Sequence, residues 1–134
     1  MTYLLDTNVC VKLLNGSSER VIRRLAQINP KQIYVCTVVE FELYYGAYRS
    51  RKTEENLNKL KRFFKQFSSF GFNSEAAKIA GYWRDRLNQK GTPIGVYDLQ
   101  IASIAIVNNL TLVTHNVREF SRIEELAYED WELP

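Results

Sequence analysis

Histidine is almost missing from this sequence: His115 is the only one. Without a second histidine it cannot build a His-rich metal centre, and we read it as a surface or strand-end residue. Cysteine is scarce too. Cys10 and Cys36 lie in apolar surroundings, far apart and outside any CxxC pattern, and read as buried free thiols rather than a disulfide or a metal pair. No apolar run approaches the ~18 residues of a membrane span. No basic segment followed by an apolar one opens the chain, so no secretory signal is read and the cytoplasm is the expected compartment. P-loop, GxGxxG and GxSxG patterns are absent, which leaves nucleotide binding by those routes and serine hydrolysis without support.

What is present fits a globular chain. The 134 residues suit one domain, 1–134, around one core, and 46% hydrophobic against 25% charged residues is too apolar for disorder. The net charge is only +3, but it is uneven. Arg49, Arg51, Lys52, Lys59, Lys61, Arg62 and Lys65 form a basic stripe, and acids dominate from Glu119 to Glu132. Such a stripe can hold a phosphate backbone or simply be the solvated face of a helix.

Periodicity and caps divide the chain into alternating elements. Strands are predicted at 2–5, 32–36, 70–72 and 110–114, with an edge strand near the C-terminus. Helices are predicted at 8–14, 19–28, 41–48, 55–67, 75–90 and 96–109, with one further turn in 116–120. Thr37 and Glu40 fit a capping box, Ser17 or Ser18 fits an N-cap, Asn73 and Ser74 fit caps, and Thr53 opens a helix. The alternation predicts an α/β fold: a three-layer α/β/α sandwich with a central parallel sheet. In such sheets ligands bind beyond the C-terminal ends of the strands.

Four acids fall there. Asp6 ends the first strand, Glu42 lies in the helix after the second, Asp98 lies in the first turn of the most apolar helix, and Glu119 follows the strand 110–114. Each has a plainer reading. Asp6 could cap a helix, Glu42 could be solvated, Asp98 could cap or pair with an arginine, and Glu119 could be a surface turn residue. Glu40 and Glu42 lie about 200° apart around a helix, so only one can face a site. If the four converge, two carboxylates ~5 Å apart repel by roughly 3 kcal/mol at an effective dielectric near 20. Protonation or a divalent cation would then be required. All-oxygen ligands suit Mg²⁺ or Mn²⁺ rather than Zn²⁺, and Mg²⁺ commonly bridges to phosphate.

LLDTN at 4–8, ELYYGA at 42–47, PIGVYDLQIASIA at 93–105 and LTLVTHNVREF at 110–120 resemble, in order and spacing, the four motifs of PIN-domain ribonucleases. The resemblance covers essentially the whole chain and is closest to the VapC-type toxins of type II toxin–antitoxin pairs. It implies a PIN-like sandwich whose acidic pocket binds Mg²⁺ or Mn²⁺ through Asp6, Glu42 and Asp98, with Thr7 and Asn116 as hydrogen-bonding supports. Many PIN domains carry an aspartate directly after the Val-Thr of the last motif. Here His115 and Asn116 follow Thr114, and Glu119 takes the place of the fourth acid. The activity implied is metal-assisted hydrolysis of RNA phosphodiester bonds, with the basic stripe holding the backbone. The partners implied are RNA, a homodimer mate and a VapB-type antitoxin, possible in a higher assembly, docking on apolar surfaces such as Phe41–Tyr48 or Phe63–Phe72.

Three rivals stay open on sequence. A receiver-like signalling domain would want paired acids after the first strand and a late lysine, neither of which is found. The others are a PIN nuclease of RNA maturation and a catalytically silent PIN-like scaffold.

Overall fold

The structure, a computed structural model, describes all 134 residues. Five strands, β1 (Tyr3–Leu5), β2 (Ile33–Cys36), β3 (Ser68–Phe70), β4 (Thr111–Val113) and β5 (Tyr128–Glu129), form one sheet in the order β3-β2-β1-β4-β5. Every pairing is parallel, with Tyr3 opposite both Ile33 and Thr111, and Leu5 opposite Val113. All three residues of β1 are buried. Successive strand side chains point to opposite faces, so both faces of the central strand are covered, as a parallel sheet requires.

Seven helices provide that cover: α1 (Thr7–Asn15), α2 (Glu19–Ala26), α3 (Thr37–Arg49), α4 (Thr53–Phe64), α5 (Ser74–Gln89), α6 (Val96–Val107) and α7 (Val117–Phe120). Helix α6 is apolar almost all round, and Leu99, Ile101, Ala102, Ile104 and Ala105 bury against the sheet and α5. Ser103 tolerates this burial by donating to the Leu99 carbonyl at 2.7 Å. No helix is long and apolar enough to cross a membrane.

Local signals explain most boundaries. Ser18 and Asn73 cap α2 and α5, their side chains accepting from the Val21 and Ala76 amides. Gly16 ends α1 at φ 64°, a left-handed position that glycine occupies without strain.

Three expectations are corrected. The Thr37–Glu40 capping box does not form: β2 runs directly into α3, Cys36 holds the extended cap position and Thr37 is the first helical residue. Glu40 instead accepts a 2.6 Å bond from Ser69 on β3. Ser74 is likewise the first residue of α5 and not a cap, a role that Asn73 fills alone, while Thr53 opens α4 as expected and donates to the Ser50 carbonyl. The third strand lies at Ser68–Phe70 rather than 70–72, because it is an edge strand with two exposed serines and no apolar alternation. Cys10 and Cys36 are free and buried, and burial pushes both thiols up, that of Cys36 to about 11.

Candidate functional site

The strand order reverses at β1, which has β2 on one side and β4 on the other. That switch point opens a crevice at the C-terminal end of β1, and Asp6 stands there. It is 4% exposed and forms no ion pair. One carboxylate oxygen accepts from the Thr7 amide at 2.8 Å, so Asp6 does cap α1. The other accepts from the Thr114 hydroxyl at 2.8 Å. Burial raises the proton affinity of Asp6, the two hydrogen bonds oppose this, and the nearby Glu42 charge adds to the rise.

The other three acids reach the same edge by three routes. Helix α3 leaves β2 at its C-terminal end, and Glu42 accepts a 2.7 Å bond from the Thr7 hydroxyl. Helix α6 runs back to the start of β4, so its first turn, carrying Asp98, lies at the C-terminal edge of the sheet. Helix α7 follows β4 immediately, and Glu119 accepts from the Asn116 side-chain amide at 3.3 Å. Asp98 feels all three neighbours. Burial first, then the charges of Asp6, Glu119 and Glu42, push its carboxyl up to about 6. Gly95 packs close: a Cβ there would stand 3.7 Å from a carboxylate oxygen of Asp98.

None of the four acids has a basic partner within ion-pair distance. The contrast with a second cluster is instructive. His115, Asp130 and Glu132 bring ligand atoms within 4.8 Å of one another. There, however, Lys12 pairs with Glu132, and the His115 ring lies 2.9 Å from Asp130. That group is held by the Lys12 ion pair and the His115 contact, which tie the C-terminal segment to α1 and to the end of β4. The four acids at the switch point have no such cation among them. His115 is exposed, as expected from sequence, and shares with Asp6, Asn8, Lys12 and Asn116 a cleft of about 480 Å³.

Thr114 was not singled out from sequence. It is fully buried, bonds Asp6 and accepts from the Asn116 amide at 3.0 Å. The signal available was its place one residue beyond β4, beside the residue that ends β1. Thr114→Val keeps the shape and removes both bonds. A buried carboxylate left short of a donor costs about 1–3 kcal/mol, more while it is charged. A lowered urea midpoint with unchanged slope, restored by Thr114→Ser, is the expected result.

The chain is thus a parallel α/β/α sandwich whose switch-point carboxylates form no ion pair, and the PIN domain family matches residues 3–126. The chain is 39% identical to a protein of Rickettsia felis named ribonuclease VapC2, over 98% of this chain and 99% of that one. It is 34% identical to the tRNA(fMet)-specific endonuclease VapC of Salmonella typhimurium, over 98% of each. The crystal structure of VapBC2 from Rickettsia felis bound to a promoter DNA fragment contains a chain that superposes with a TM-score of 0.91 at 39% identity, covering 98% of this chain and 99% of that one. The protein belongs to the VapC ribonucleases of the PIN-domain family.

Proposed function

We propose that this ribonuclease is a divalent-cation-dependent endonuclease that cuts RNA as the toxin of a VapBC-type pair, with Asp6, Glu42, Asp98 and Glu119 as its cation ligands. The observation that carries the reading is the mutual charge stress at the switch point. Asp98 is pushed up to about 6 by burial and three acid neighbours, and no basic side chain relieves it. The donor set is oxygen only, which fits Mg²⁺ or Mn²⁺.

When bound, such a cation supplies charge stabilisation at a phosphodiester and lowers the pKa of water. The chain's own residues hold the geometry for it. Thr7 spans the site, its amide on Asp6 and its hydroxyl on Glu42. Thr114 fixes the second oxygen of Asp6, and Asn116 steers Glu119. The exposed basic stripe from Arg49 to Lys65 is suited to phosphate contacts that position RNA without reading its bases.

The partners follow from the same reading: a second copy of the chain, and an antitoxin whose tail covers the pocket. An apolar groove of about 250 Å³ between α1, α3 and α4, lined by Val11, Leu14, Leu43, Ala47 and Leu60, offers a seat for that tail. The stretch Phe63–Phe72 does not, because its rings pack against the core. The test is cleavage of a mixed pool of cellular RNA by protein freed of antitoxin. Cutting with Mg²⁺ or Mn²⁺ and none with chelator is expected. Equal cutting in chelator would refute the reading.

A further inference from the structure

Beside the acids lies an aromatic surface that the core does not use. Phe41, Tyr45 and Tyr48 on α3 are 54, 58 and 67% exposed, and Tyr97 on α6 is 47% exposed. At 100° per residue, Phe41, Tyr45 and Tyr48 fall within about 60° of one another on one stripe of the helix. The aliphatic groove residues Leu43 and Ala47 lie on the other side, and Glu42 falls between the two flanks. The Phe41 and Tyr97 rings meet edge to face at 5.5 Å between centroids, joining the two helices. Each of these two rings immediately precedes an acid of the site, Glu42 and Asp98. At the far end of the row the Arg49 guanidinium lies 5.4 Å from the centre of the Tyr45 ring, and exposed Arg51 and Lys52 follow.

We infer that this row, from Tyr97 through Phe41 and Tyr45 to Arg49, is a stacking platform for unpaired bases of the RNA that enters the acid pocket. This rests on the ribonuclease reading above and deepens it, because it assigns named side chains to the contact with unpaired bases. Aromatic faces stack on any base whatever its sequence, and flanking cations follow the phosphates. A duplex keeps its bases stacked within the helix and offers no free face to the row. Charge complementarity favours this occupant over a protein: the row ends in cations that suit a phosphate backbone, and at its other end Phe41 and Tyr97 each stand one residue before an acid of the site. The groove on the opposite flank of α3 has the aliphatic lining suited to protein side chains.

The test uses two synthetic RNAs, a hairpin with 2-aminopurine in its loop and a fully paired duplex of the same composition. Binding is measured in an Asp98→Asn background, so that neither RNA is cut. The platform with intact rings is expected to quench 2-aminopurine and to bind hairpin more tightly than duplex. Phe41→Leu with Tyr97→Leu keeps apolar bulk without a π face. It should weaken hairpin binding by ~10–100-fold and abolish quenching, with duplex binding unchanged. Phe41→Tyr with Tyr97→Phe should retain both. With Asp98 restored, the leucine pair should raise KM far more than it lowers kcat. Undiminished hairpin binding by the leucine pair, or equal binding of hairpin and duplex with the rings intact, overturns the inference. So does a leucine pair whose binding loss comes with a change in sedimentation, since the row would then be a contact between copies of the chain. If the unaltered protein cuts the RNA pool while the leucine pair binds normally, only the stacking inference fails. If the unaltered protein does not cut at all, the ribonuclease reading fails first.

Discussion

Asp98→Asn is expected to lower the rate of RNA cleavage by about 10³-fold or more. The substitution changes one oxygen to an amide nitrogen, so the fold should survive. The half-buried side chain keeps its volume, and α6 keeps Leu99, Ile101 and Ile104 in the core. What changes is charge at the point where Asp6, Glu119 and Glu42 all act. A cation site that has lost one anionic ligand binds weakly and holds its cation out of place. The charge stabilisation at stake is several kcal/mol, and each 1.36 kcal/mol is tenfold in rate. The check is single-turnover cleavage at saturating Mn²⁺, with circular dichroism to show that the variant is folded. Loss of less than tenfold would mean that Asp98 is not a ligand.

The same variant should be more stable than the unaltered protein when no divalent cation is present. The direction follows from linkage. Asp98 titrates near 6 in the folded chain against an ordinary value of 3.8. The folded state therefore binds this proton more tightly than the unfolded state. Stability from this group is fully present below about pH 4, falls as pH rises from 4 to 6, and stays low above 6. Asp6, also raised by burial, acts in the same sense. Asn has no charge to strain, so the advantage of Asp98→Asn should be absent near pH 4 and fully developed by pH 7.5. Solvent screens a half-exposed group, which reduces the gain to roughly 1 kcal/mol, a few degrees in Tm. Adding Mn²⁺ at pH 7.5 should raise the Tm of the unaltered protein and leave the variant almost unmoved. Thermal melts at three pH values, with and without Mn²⁺, separate the two effects. A variant less stable than its parent at every pH would show that Asp98 is structural.

Much of the candidate site is legible because its acids lie at the end of a strand or in the helices that border that edge of the sheet. A buried run closing in Asp6, and a carboxylate on the most apolar helix, are local patterns that a sequence carries openly. The rest depended on partners distant in sequence. Thr37, three residues before Glu40, suggests a capping box, but the partner of Glu40 is Ser69, 29 residues away. Thr114 could be seen ending a strand, whereas its bond to Asp6 spans 108 positions and exists only once β4 lies beside β1. The edge strand β3 lies two residues before the predicted 70–72 because its serines face water and leave no apolar alternation in the sequence. Asp6 fits both of its readings at once: one oxygen caps α1 while the carboxylate stands at the switch point.

The proposed cation site is tested most directly by Mn²⁺ binding followed by electron paramagnetic resonance, on the antitoxin-free protein at pH 7.5, unaltered and as Asp98→Asn. Saturable binding by the unaltered protein, displaced by Mg²⁺ and lost or greatly weakened in the variant, is the expected result. Equal binding by the two proteins, or no binding by either while the unaltered protein still cleaves RNA, would contradict it.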